Sequence, residues 1–214
     1  MEASPPTELI LVRHAQPLGG TRDPGLTAEG QQQSEALSRW LSHDRIDAVV
    51  SSSLRRAIET AAPIARVAGV APKQLPDLAE WDSTPPRPLY LPLEELGAEH
   101  PVMLALTEGR YSDFVPSFDH DAFRRRAESV LNELFELLPG GRIVAVSHGG
   151  LINAMLANVL GLTHQMFFVF PAYTAMSIVQ RVPSGRVVLR SVNETPHLLG
   201  DRRPGTNRPT PLDG

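Results

Sequence analysis

The sequence predicts an α/β fold, specifically a three-layer α/β/α sandwich with a mostly parallel central sheet and an inserted cap segment. Three short apolar runs, at residues 9–12, 48–50 and 143–146, alternate with stretches whose apolar residues recur at helical spacing. Strands that are apolar throughout are typical of parallel sheets, which are buried on both faces. Their alternation with helices favours a sheet covered by helices on both sides.

The first part of the chain supplies two strands and two helices. A strand at residues 8–12 runs into residues 13–25, which contain two prolines and three glycines and therefore predict a loop. Thr27 is a typical N-cap for the first helix. A second strand is centred on residues 48–50, and we expect Ser53 to cap the helix that follows it.

The middle of the chain is less regular. Residues 75–80 are expected to be extended, and residues 81–92 contain four prolines, which exclude a regular helix. We expect a short helix near residues 93–99 and an irregular stretch over residues 101–117. Residues 119–138 carry the clearest helical period, and a Pro-Gly-Gly run ends that helix.

The last part of the chain returns to strands. A strand at residues 142–147 is followed by an apolar helix over residues 149–160. Residues 174–181 and 186–192 flank a Pro-Ser-Gly turn and predict a hairpin at the edge of the sheet.

The chain of 214 residues is long enough to bury one substantial core. We therefore expect a single domain over residues 1–200, with a cap at about residues 81–141. Residues 201–214 are polar and rich in proline and arginine, and we expect them to be a disordered tail.

Composition excludes several functions. The formal net charge of −4 argues against a nucleic-acid partner, and no run reaches the length of about 20 apolar residues that spans a bilayer. The absence of cysteine excludes disulfides and thiol catalysis and suits a cytoplasmic protein, and we expect no signal peptide. Among 19 arginines the single lysine, Lys73, follows a proline, so there is no Walker-type phosphate loop.

Polar residues follow three of the predicted strands directly. The first strand leads into Arg13 and His14, and the second into three serines and then Arg55 and Arg56. The strand at residues 142–147 leads into His148 and two glycines. Because ligands bind beyond the carboxyl ends of parallel strands, we expect these groups to converge on one pocket.

Other interpretations of these residues have less support. A single histidine after a strand is often structural, and we interpret His43, His100, His120, His164 and His197 in that way. No His-Glu-x-x-His or His-x-His pattern supports a metal site. A Ser-His-Asp hydrolase lacks the Gly-x-Ser-x-Gly elbow, and Ser147 directly beside His148 is poor geometry for a triad.

The combined pattern favours a phosphate group. Arginine presents planar, paired donors that match phosphate oxygens. Gly149 and the glycine after it, at a helix start, expose backbone N–H groups to an anion. Histidine can act as a covalent nucleophile, so the residues predict a phosphate site that contains a nitrogen nucleophile.

These motifs, taken together, resemble the histidine phosphatase superfamily, also called the phosphoglycerate mutase-like superfamily. The resemblance covers residues 8–199 and rests on ordered blocks, which read LVRHAQ, DPGLTAEGQQQSEAL, SSSLRRAIETA, LPDLAEWD, VAVSHGGLINAML and NETPHL. It implies that His14 becomes phosphorylated, that Arg13 and Arg56 hold the phosphoryl group, and that His148 is the second histidine of the pocket. In this resemblance the arginine before alanine is the phosphate-binding one, which selects Arg56 over Arg55.

The resemblance also implies the general acid and base. Glu80 matches that residue because it follows Leu78 by two positions, and Asp82 is a nearby rival. The implied function is a metal-independent phosphomonoester hydrolase that needs no cofactor and acts on a small phosphorylated metabolite. A phosphoglycerate mutase-type phosphotransferase is one alternative, and a catalytically silent member that binds phosphorylated ligands is another.

The loop after Trp81 is expected to roof the pocket and to select the leaving group, with a rigid surface loop as the alternative. Arg124, Arg125 and Arg126 are expected on a solvated helix face. A homodimer through the edge hairpin is a further expectation. The expected substrate contacts come from strand ends, helix starts and this loop: Arg13, Arg56, His148, Gln16, Thr27, Gly149, Tyr90 and Arg87.

Three positions depart from the family's usual pattern. Ala15 replaces the common glycine after the histidine, and we expect slight crowding there. Residues 17–20 replace the longer loop of the mutase branch and lack its asparagine, which favours hydrolysis. Tyr173 lies in the run FPAYTAMS, where many relatives have an asparagine-alanine-serine-like entry to a strand, and it is expected to change the shape of the pocket.

Overall fold

The computed structural model describes residues 5–81, 89–110, 118–162 and 167–199, and in this part of the chain six strands form one sheet. The strands are β1 (Thr7–Arg13), β2 (Ala48–Ser51), β3 (Lys73–Gln74), β4 (Arg142–Ser147), β5 (Met176–Arg181) and β6 (Val187–Glu194). The helices are α1 (Ala28–Leu41), α2 (Arg55–Ala68), α3 (Pro101–Thr107), α4 (His120–Leu137) and α5 (Gly149–Leu160). Short 3₁₀ turns cover Pro76–Leu78, Leu93–Glu95 and Pro196–Leu198.

The strands follow the order β3-β2-β4-β1-β5-β6. Neighbouring strands from β3 to β1 are parallel, whereas β5 and β6 are antiparallel and form the predicted edge hairpin. Only β5 runs against the others among these six strands, so five of them share one direction, which confirms the mostly parallel sheet.

The side chains of β1 point alternately into two cores. Leu9 and Leu11 pack against α4 and α5 on one face, together with Phe135. Ile10 and Val12 pack against α1 and α2 on the other face. The sheet is therefore covered by helices on both sides, and the three-layer α/β/α arrangement is confirmed.

The start of α2 differs from the prediction, which was wrong in making Ser53 its cap. The N-cap residue is Leu54, which makes no side-chain capping bond. Ser52 instead accepts a hydrogen bond from the backbone N–H of Leu54 through its Oγ, at 3.3 Å. Ser52 precedes the predicted cap residue by one position, and its hydroxyl also contacts His148, which follows the end of β4.

The middle of the chain holds more helix than expected. Residues 101–107 form α3, begun by His100, whose ring accepts from the backbone N–H of Val102 at 3.2 Å. The helix expected over residues 93–99 is only a 3₁₀ turn at Leu93–Glu95. α4 falls in the range expected for the cap, yet its apolar face packs in the core. The expected tail at residues 201–214 lies outside the described residues.

Candidate active site

The register of the sheet brings the two strand-end histidines together. In the parallel pair of β1 and β4, Arg13 lies opposite Ser147, so His14 and His148 follow at the same edge. Their ring centroids are 5.1 Å apart, and the two residues are 2% and 1% exposed. This edge is the carboxyl end of the parallel strands, where α/β sheets bind ligands.

Hydrogen bonding places the proton of His14 on Nδ1. That nitrogen lies 2.8 Å from the carbonyl oxygen of Ala15. A carbonyl oxygen can only accept, so Nδ1 donates and Nε2 keeps its lone pair. Burial, reinforced by the charges of Arg56 and Arg13, lowers the pKa of His14 well below its usual range. His14 is therefore an uncharged imidazole at neutral pH.

Alanine fits the position after His14 without backbone strain. Ala15 is fully buried, and its N–H donates to Thr60 Oγ1 at 2.9 Å. The non-glycine residues with positive φ in the described chain are Thr174 and Asn193. The backbone at Ala15 therefore makes no demand for glycine.

His148 occupies the N-cap position of α5. Its Nε2 lies 2.7 Å from Ser52 Oγ, whereas its Nδ1 is buried and has no hydrogen-bond partner among the described residues. Burial first, and then the charge of Arg56, lowers the pKa of His148 well below its usual range. His148 is thus neutral, with one ring nitrogen able to contact a bound group.

Two buried arginines lie beside the histidines. Arg13 ends β1 and Arg56 lies in the first turn of α2, and they are 8% and 2% exposed. Their guanidinium carbons lie 4.3 Å and 4.6 Å from the ring centres of Tyr173 and Tyr90. The Nε atom of each is buried with no acceptor in the described part of the chain. Such donors are suited to an anionic ligand.

The neighbouring arginine, Arg55, lies away from this cluster. Its Nε donates to Glu59 at 2.6 Å, and its side chain is 64% exposed. The structure therefore brings Arg56, and not Arg55, to the two histidines.

Glu80 is held at the start of α5. Ser147 Oγ donates to the carbonyl oxygen of Leu78 at 2.8 Å, which ties the preceding turn to β4. Glu80 Oε2 accepts from the backbone N–H of Gly150 at 2.9 Å, and Oε1 accepts from that of Trp81 at 3.2 Å. A Cβ atom on Gly150 would lie 2.5 Å from Glu80 Oε1, so only glycine leaves room for this carboxylate.

Arg126 corrects the expectation of a solvated arginine face on α4. It is half-buried, and its guanidinium carbon lies 4.9 Å from the ring centre of Phe123. Burial lowers the pKa of Arg126, although the charge of Glu80 opposes this shift. Its charge also contributes to the lowered pKa of His148. The other two arginines differ, since Arg125 is exposed and Arg124 donates to an α5 side chain.

Gln16 and Thr27 bind each other beside the site. Thr27 Oγ1 donates to Gln16 Oε1 at 2.8 Å and accepts from the backbone N–H of Gly30 at 2.9 Å. A Cβ on Gly30 would lie 2.1 Å from the carbonyl oxygen of Gln16. These contacts hold the loop after β1 against the start of α1, and they do not join either side chain to the histidine–arginine cluster.

Tyr90 and Gly149 lie at the cluster. The ring of Tyr90 is 6.2 Å from that of His14, and burial raises the pKa of its hydroxyl. Gly149 starts α5, and a Cβ on it would lie 3.8 Å from Arg13 Nε. Arg87 and Asp82 lie outside the described residues.

Sequence reasoning missed two residues of the site, Glu94 and Ser52. Glu94 forms an ion pair with Arg13 and accepts from the hydroxyl of Tyr173 at 2.6 Å. Its sequence context, Leu-Glu-Glu-Leu, is typical of an exposed helix face and gives no signal of this role. Ser52 is one of three consecutive serines, and its contact with His148 Nε2, at 2.7 Å, is what distinguishes it.

Within the described ranges, no group of three or more His, Asp or Glu residues is placed to hold a metal ion. The helices of that part of the chain include none that is both long and apolar enough to span a bilayer.

A family model described as the histidine phosphatase superfamily, branch 1, matches residues 9–195. The chain is 28% identical over 200 residues to phosphoserine phosphatase 1 of Hydrogenobacter thermophilus, covering 89% of this chain and 94% of the relative. It is 29% identical over 167 residues to a probable phosphoglycerate mutase of Yersinia enterocolitica, with coverages of 72% and 75%.

Solved structures share the fold. A phosphoserine phosphatase variant from Entamoeba histolytica, in complex with phosphoserine, superposes with a TM-score of 0.69 at 24% identity, over 90% of this chain and 99% of that one. A mycobacterial glucosyl-3-phosphoglycerate phosphatase bound to vanadate also gives a TM-score of 0.69, at 23% identity and coverages of 88% and 99%.

Proposed function

Because this chain belongs to the histidine phosphatase superfamily, branch 1, we propose that it is a phosphomonoester hydrolase acting through a phosphohistidine on His14. One observation carries the proposal: His14 is buried and uncharged, with Nδ1 bound to the Ala15 carbonyl, and the charges of two buried arginines, Arg13 and Arg56, contribute to its lowered pKa. This is the state a nitrogen nucleophile needs in order to attack a phosphoryl group. The similarity to a bacterial phosphoserine phosphatase supports hydrolysis.

In the first step, the lone pair of His14 Nε2 forms a bond to phosphorus while the bond from phosphorus to the ester oxygen breaks. The leaving alkoxide takes a proton from the carboxylic acid of Glu80. Glu80 is suited to this role because its carboxyl group is held beside the start of α5, at the edge that carries both histidines.

In the second step, water attacks phosphorus and the bond from His14 Nε2 to phosphorus breaks. Glu80, now a carboxylate, accepts the proton of that water. Phosphate leaves, and His14 returns to its neutral state. The cycle consumes one water and leaves Glu80 protonated for the next substrate, so protons balance over the two steps.

Three buried donors are suited to the oxygens of the transferred group. Arg13 Nε, Arg56 Nε and His148 Nδ1 lack acceptors among the described residues. Negative charge on the phosphoryl oxygens would be shared among them, and buried donors act more strongly than donors in water. Ser52 would donate its hydroxyl proton to His148 Nε2, which leaves the proton of the ring on Nδ1.

We propose a small phosphorylated metabolite as the substrate, with no metal or cofactor in the reaction. Glu80, Tyr90 and Gly149 would contact the substrate together with the arginines and histidines, and Gln16, Thr27 and Arg87 are proposed contacts as well. The relatives support this class, because one related structure is named as a complex with phosphoserine and another as a complex with 3-phosphoglyceric acid.

Mutase activity is the second candidate, because a probable phosphoglycerate mutase is among the relatives. The short loop after His14 opposes it. Leu18 N–H donates to the carbonyl oxygen of Gly25 at 2.9 Å, and Pro17 bridges to Leu26, so the loop folds back on itself. It thus offers no long segment to retain a phosphorylated intermediate.

The proposal is tested with purified protein in EDTA, on p-nitrophenyl phosphate and a panel of phosphorylated metabolites. Wild type and His43→Ala, which changes an exposed histidine, should release phosphate equally. His14→Ala should lose activity by about 10³-fold or more. The wild-type phosphoenzyme should be acid-labile and should map to the peptide that contains His14.

Two results would contradict the proposal. Absence of phosphate release by wild type across the whole panel would refute hydrolysis and would favour a silent, ligand-binding member. Interconversion of 3- and 2-phosphoglycerate without release of phosphate would favour the mutase.

We further propose a single domain over residues 1–200 in a bacterial cytoplasm, and a homodimer through the edge hairpin formed by β5 and β6. The lack of cysteine and the bacterial relatives support the location. Light scattering at several protein concentrations tests the dimer, and a monomer mass at all of them would refute it.

A further inference from the structure

The carboxylate of Glu94 lies against the guanidinium group of Arg13, at the edge of the site. One oxygen, Oε1, pairs with Arg13 Nη1, and the other, Oε2, accepts from the hydroxyl of Tyr173 at 2.6 Å. Glu94 comes from the turn at Leu93–Glu95, whereas its two partners come from β1 and from the segment before β5. The contact therefore joins three separate parts of the chain.

Nη1 and Nε of Arg13 differ in their acceptors. Nη1 has two hydrogens, and its two acceptors are the carboxylate of Glu94 and the carbonyl oxygen of Pro171, at 2.6 Å for the latter. Nε is buried with no acceptor among the described residues, and it faces the start of α5 at Gly149. Glu94 thus engages the guanidinium group at Nη1 and leaves Nε without an acceptor.

Tyr173 contacts both Arg13 and Glu94. Its ring centre lies 4.3 Å from the guanidinium carbon of Arg13, while its hydroxyl donates to Glu94. Burial, together with the hydrogen bond to Glu94, raises the pKa of Tyr173, so its hydroxyl remains a donor. Burial opposes ionisation of Glu94, but the charge of Arg13 and the hydrogen bonds from Arg13 and Tyr173 together outweigh it and lower the pKa of Glu94. The carboxylate is therefore charged at neutral pH.

We propose that Glu94 is a positioning residue, which orients Arg13 so that Nε faces the phosphoryl group while Nη1 is held on the opposite side. This role rests on the proposed function, since it gives Arg13 a phosphoryl group to bind. An arginine with four side-chain torsions needs such a restraint, because its rotamer entropy otherwise opposes one fixed geometry.

Removing Glu94 would have the opposite effect on phosphate binding if its carboxylate competed with the phosphoryl group for Arg13. If the carboxylate occupied the place of the phosphoryl group on Arg13, its removal would strengthen phosphate binding. If it orients Arg13, its removal weakens phosphate binding. Orthovanadate and p-nitrophenyl phosphate therefore distinguish the two roles.

The test compares Glu94→Ala, Glu94→Gln and the control Glu99→Ala, which changes an exposed glutamate of the same segment. We expect Glu94→Ala to lower kcat/KM for p-nitrophenyl phosphate about 10- to 100-fold, as displaced catalytic groups do. Its dissociation constant for orthovanadate should rise about tenfold. Glu94→Gln keeps a carbonyl acceptor for Nη1 and should stay within about threefold of wild type. Glu99→Ala should match wild type.

A double-mutant cycle separates positioning from a general structural effect. If Glu94 acts through Arg13, Glu94→Ala should cause no further loss of kcat/KM in an Arg13→Ala background. The same loss in both backgrounds would overturn the proposal. Unchanged or tighter orthovanadate binding by Glu94→Ala would overturn it too, as would a Glu94→Gln variant as impaired as Glu94→Ala.

Failure of the proposed function gives a different result. Wild type without turnover on any phosphate ester would refute the hydrolase, and orthovanadate affinities of the same variants would still decide the role of Glu94. Weaker orthovanadate binding by Glu94→Ala, restored by Glu94→Gln, would support the positioning role in that case as well.

Discussion

Replacing Gly150 by alanine should disable the proposed general acid while leaving the fold intact. The added Cβ would lie 2.5 Å from Glu80 Oε1 and 3.1 Å from its carboxyl carbon. Ordinary carbon–oxygen contact needs about 3.5 Å, so the carboxylate must move by about 1 Å. The end of a glutamate side chain moves at little cost, and alanine is favoured over glycine within a helix by up to about 1 kcal/mol. The Cβ would also lie 3.2 Å from Phe167 Cζ, and the moved carboxylate weakens its bond to the Gly150 N–H, so we expect a loss of stability of no more than about 1–2 kcal/mol.

The catalytic effect should depend on the leaving group. Displacement of a catalytic group by about 1 Å costs about 10²-fold, and a general acid contributes about 10²- to 10⁴-fold. An alkyl phosphate needs its leaving oxygen protonated, whereas p-nitrophenolate is a weak base and leaves with little help. Gly150→Ala should therefore lower kcat about 100-fold for the best alkyl phosphate of the panel and less than about tenfold for p-nitrophenyl phosphate.

Gly149→Ala is the matched control for this change. It adds the same methyl group one residue earlier, 3.8 Å from Arg13 Nε and more than 4 Å from Glu80, so it can lower both activities through the phosphoryl group but leaves Glu80 in place. Its ratio of activities on the two substrates should equal that of wild type. Steady-state kinetics with both substrates, alongside thermal melts, makes the comparison. An equal loss on both substrates, or the same change of ratio in both variants, would refute the role given to Glu80.

Three further predictions concern pH and stability. Because the pKa values of His14 and His148 are lowered, kcat/KM, corrected for substrate ionisation, should not fall as pH drops from 7.5 to 6; a fall centred near 6.5 would contradict this. Burial lowers the pKa of His197 to about 4, so the free energy of unfolding declines as pH falls from about 6.5. His197→Gln should remove about 2 kcal/mol of this decline between pH 7 and 5, as measured by urea unfolding. The same decline in the variant and in wild type would contradict the prediction. Gly30→Ala would place a Cβ 2.1 Å from the carbonyl oxygen of Gln16 and should cost about 1–3 kcal/mol, lowering the melting temperature; an unchanged melting temperature would contradict this.

The sequence predicted the sheet and the convergence of strand ends because both depend on local patterns. An apolar run fixes a buried strand, and the residue after it must lie at the sheet edge. Parallel pairing in register then places His14 beside His148, with Arg13 opposite Ser147. No knowledge of distant loops is needed for this step.

The residues that sequence reasoning missed depend on tertiary contacts. Glu94 reaches Arg13 across 81 positions, and its turn has no pattern that distinguishes it from a solvated segment. Ser52 was obscured by two neighbouring serines, and its contact with His148, 96 positions away in the chain, is what distinguishes it. Arg126 was predicted to be exposed because a run of three arginines usually lies in solvent. It is instead half-buried, and the charge of Glu80 acts on it.

The two buried arginines have one electrostatic consequence that unites the site. Their charges, with burial, favour the uncharged form of His14, and the same charges attract a phosphate dianion. A site that bound phosphate with protonated histidines would lose its nucleophile, since an imidazolium has no lone pair to attack phosphorus. Arginine stays charged under all these conditions, so the proposed mechanism assigns phosphate binding to the arginines and nucleophilic attack to His14. The arrangement thus permits a strongly cationic site to contain a neutral attacking nitrogen.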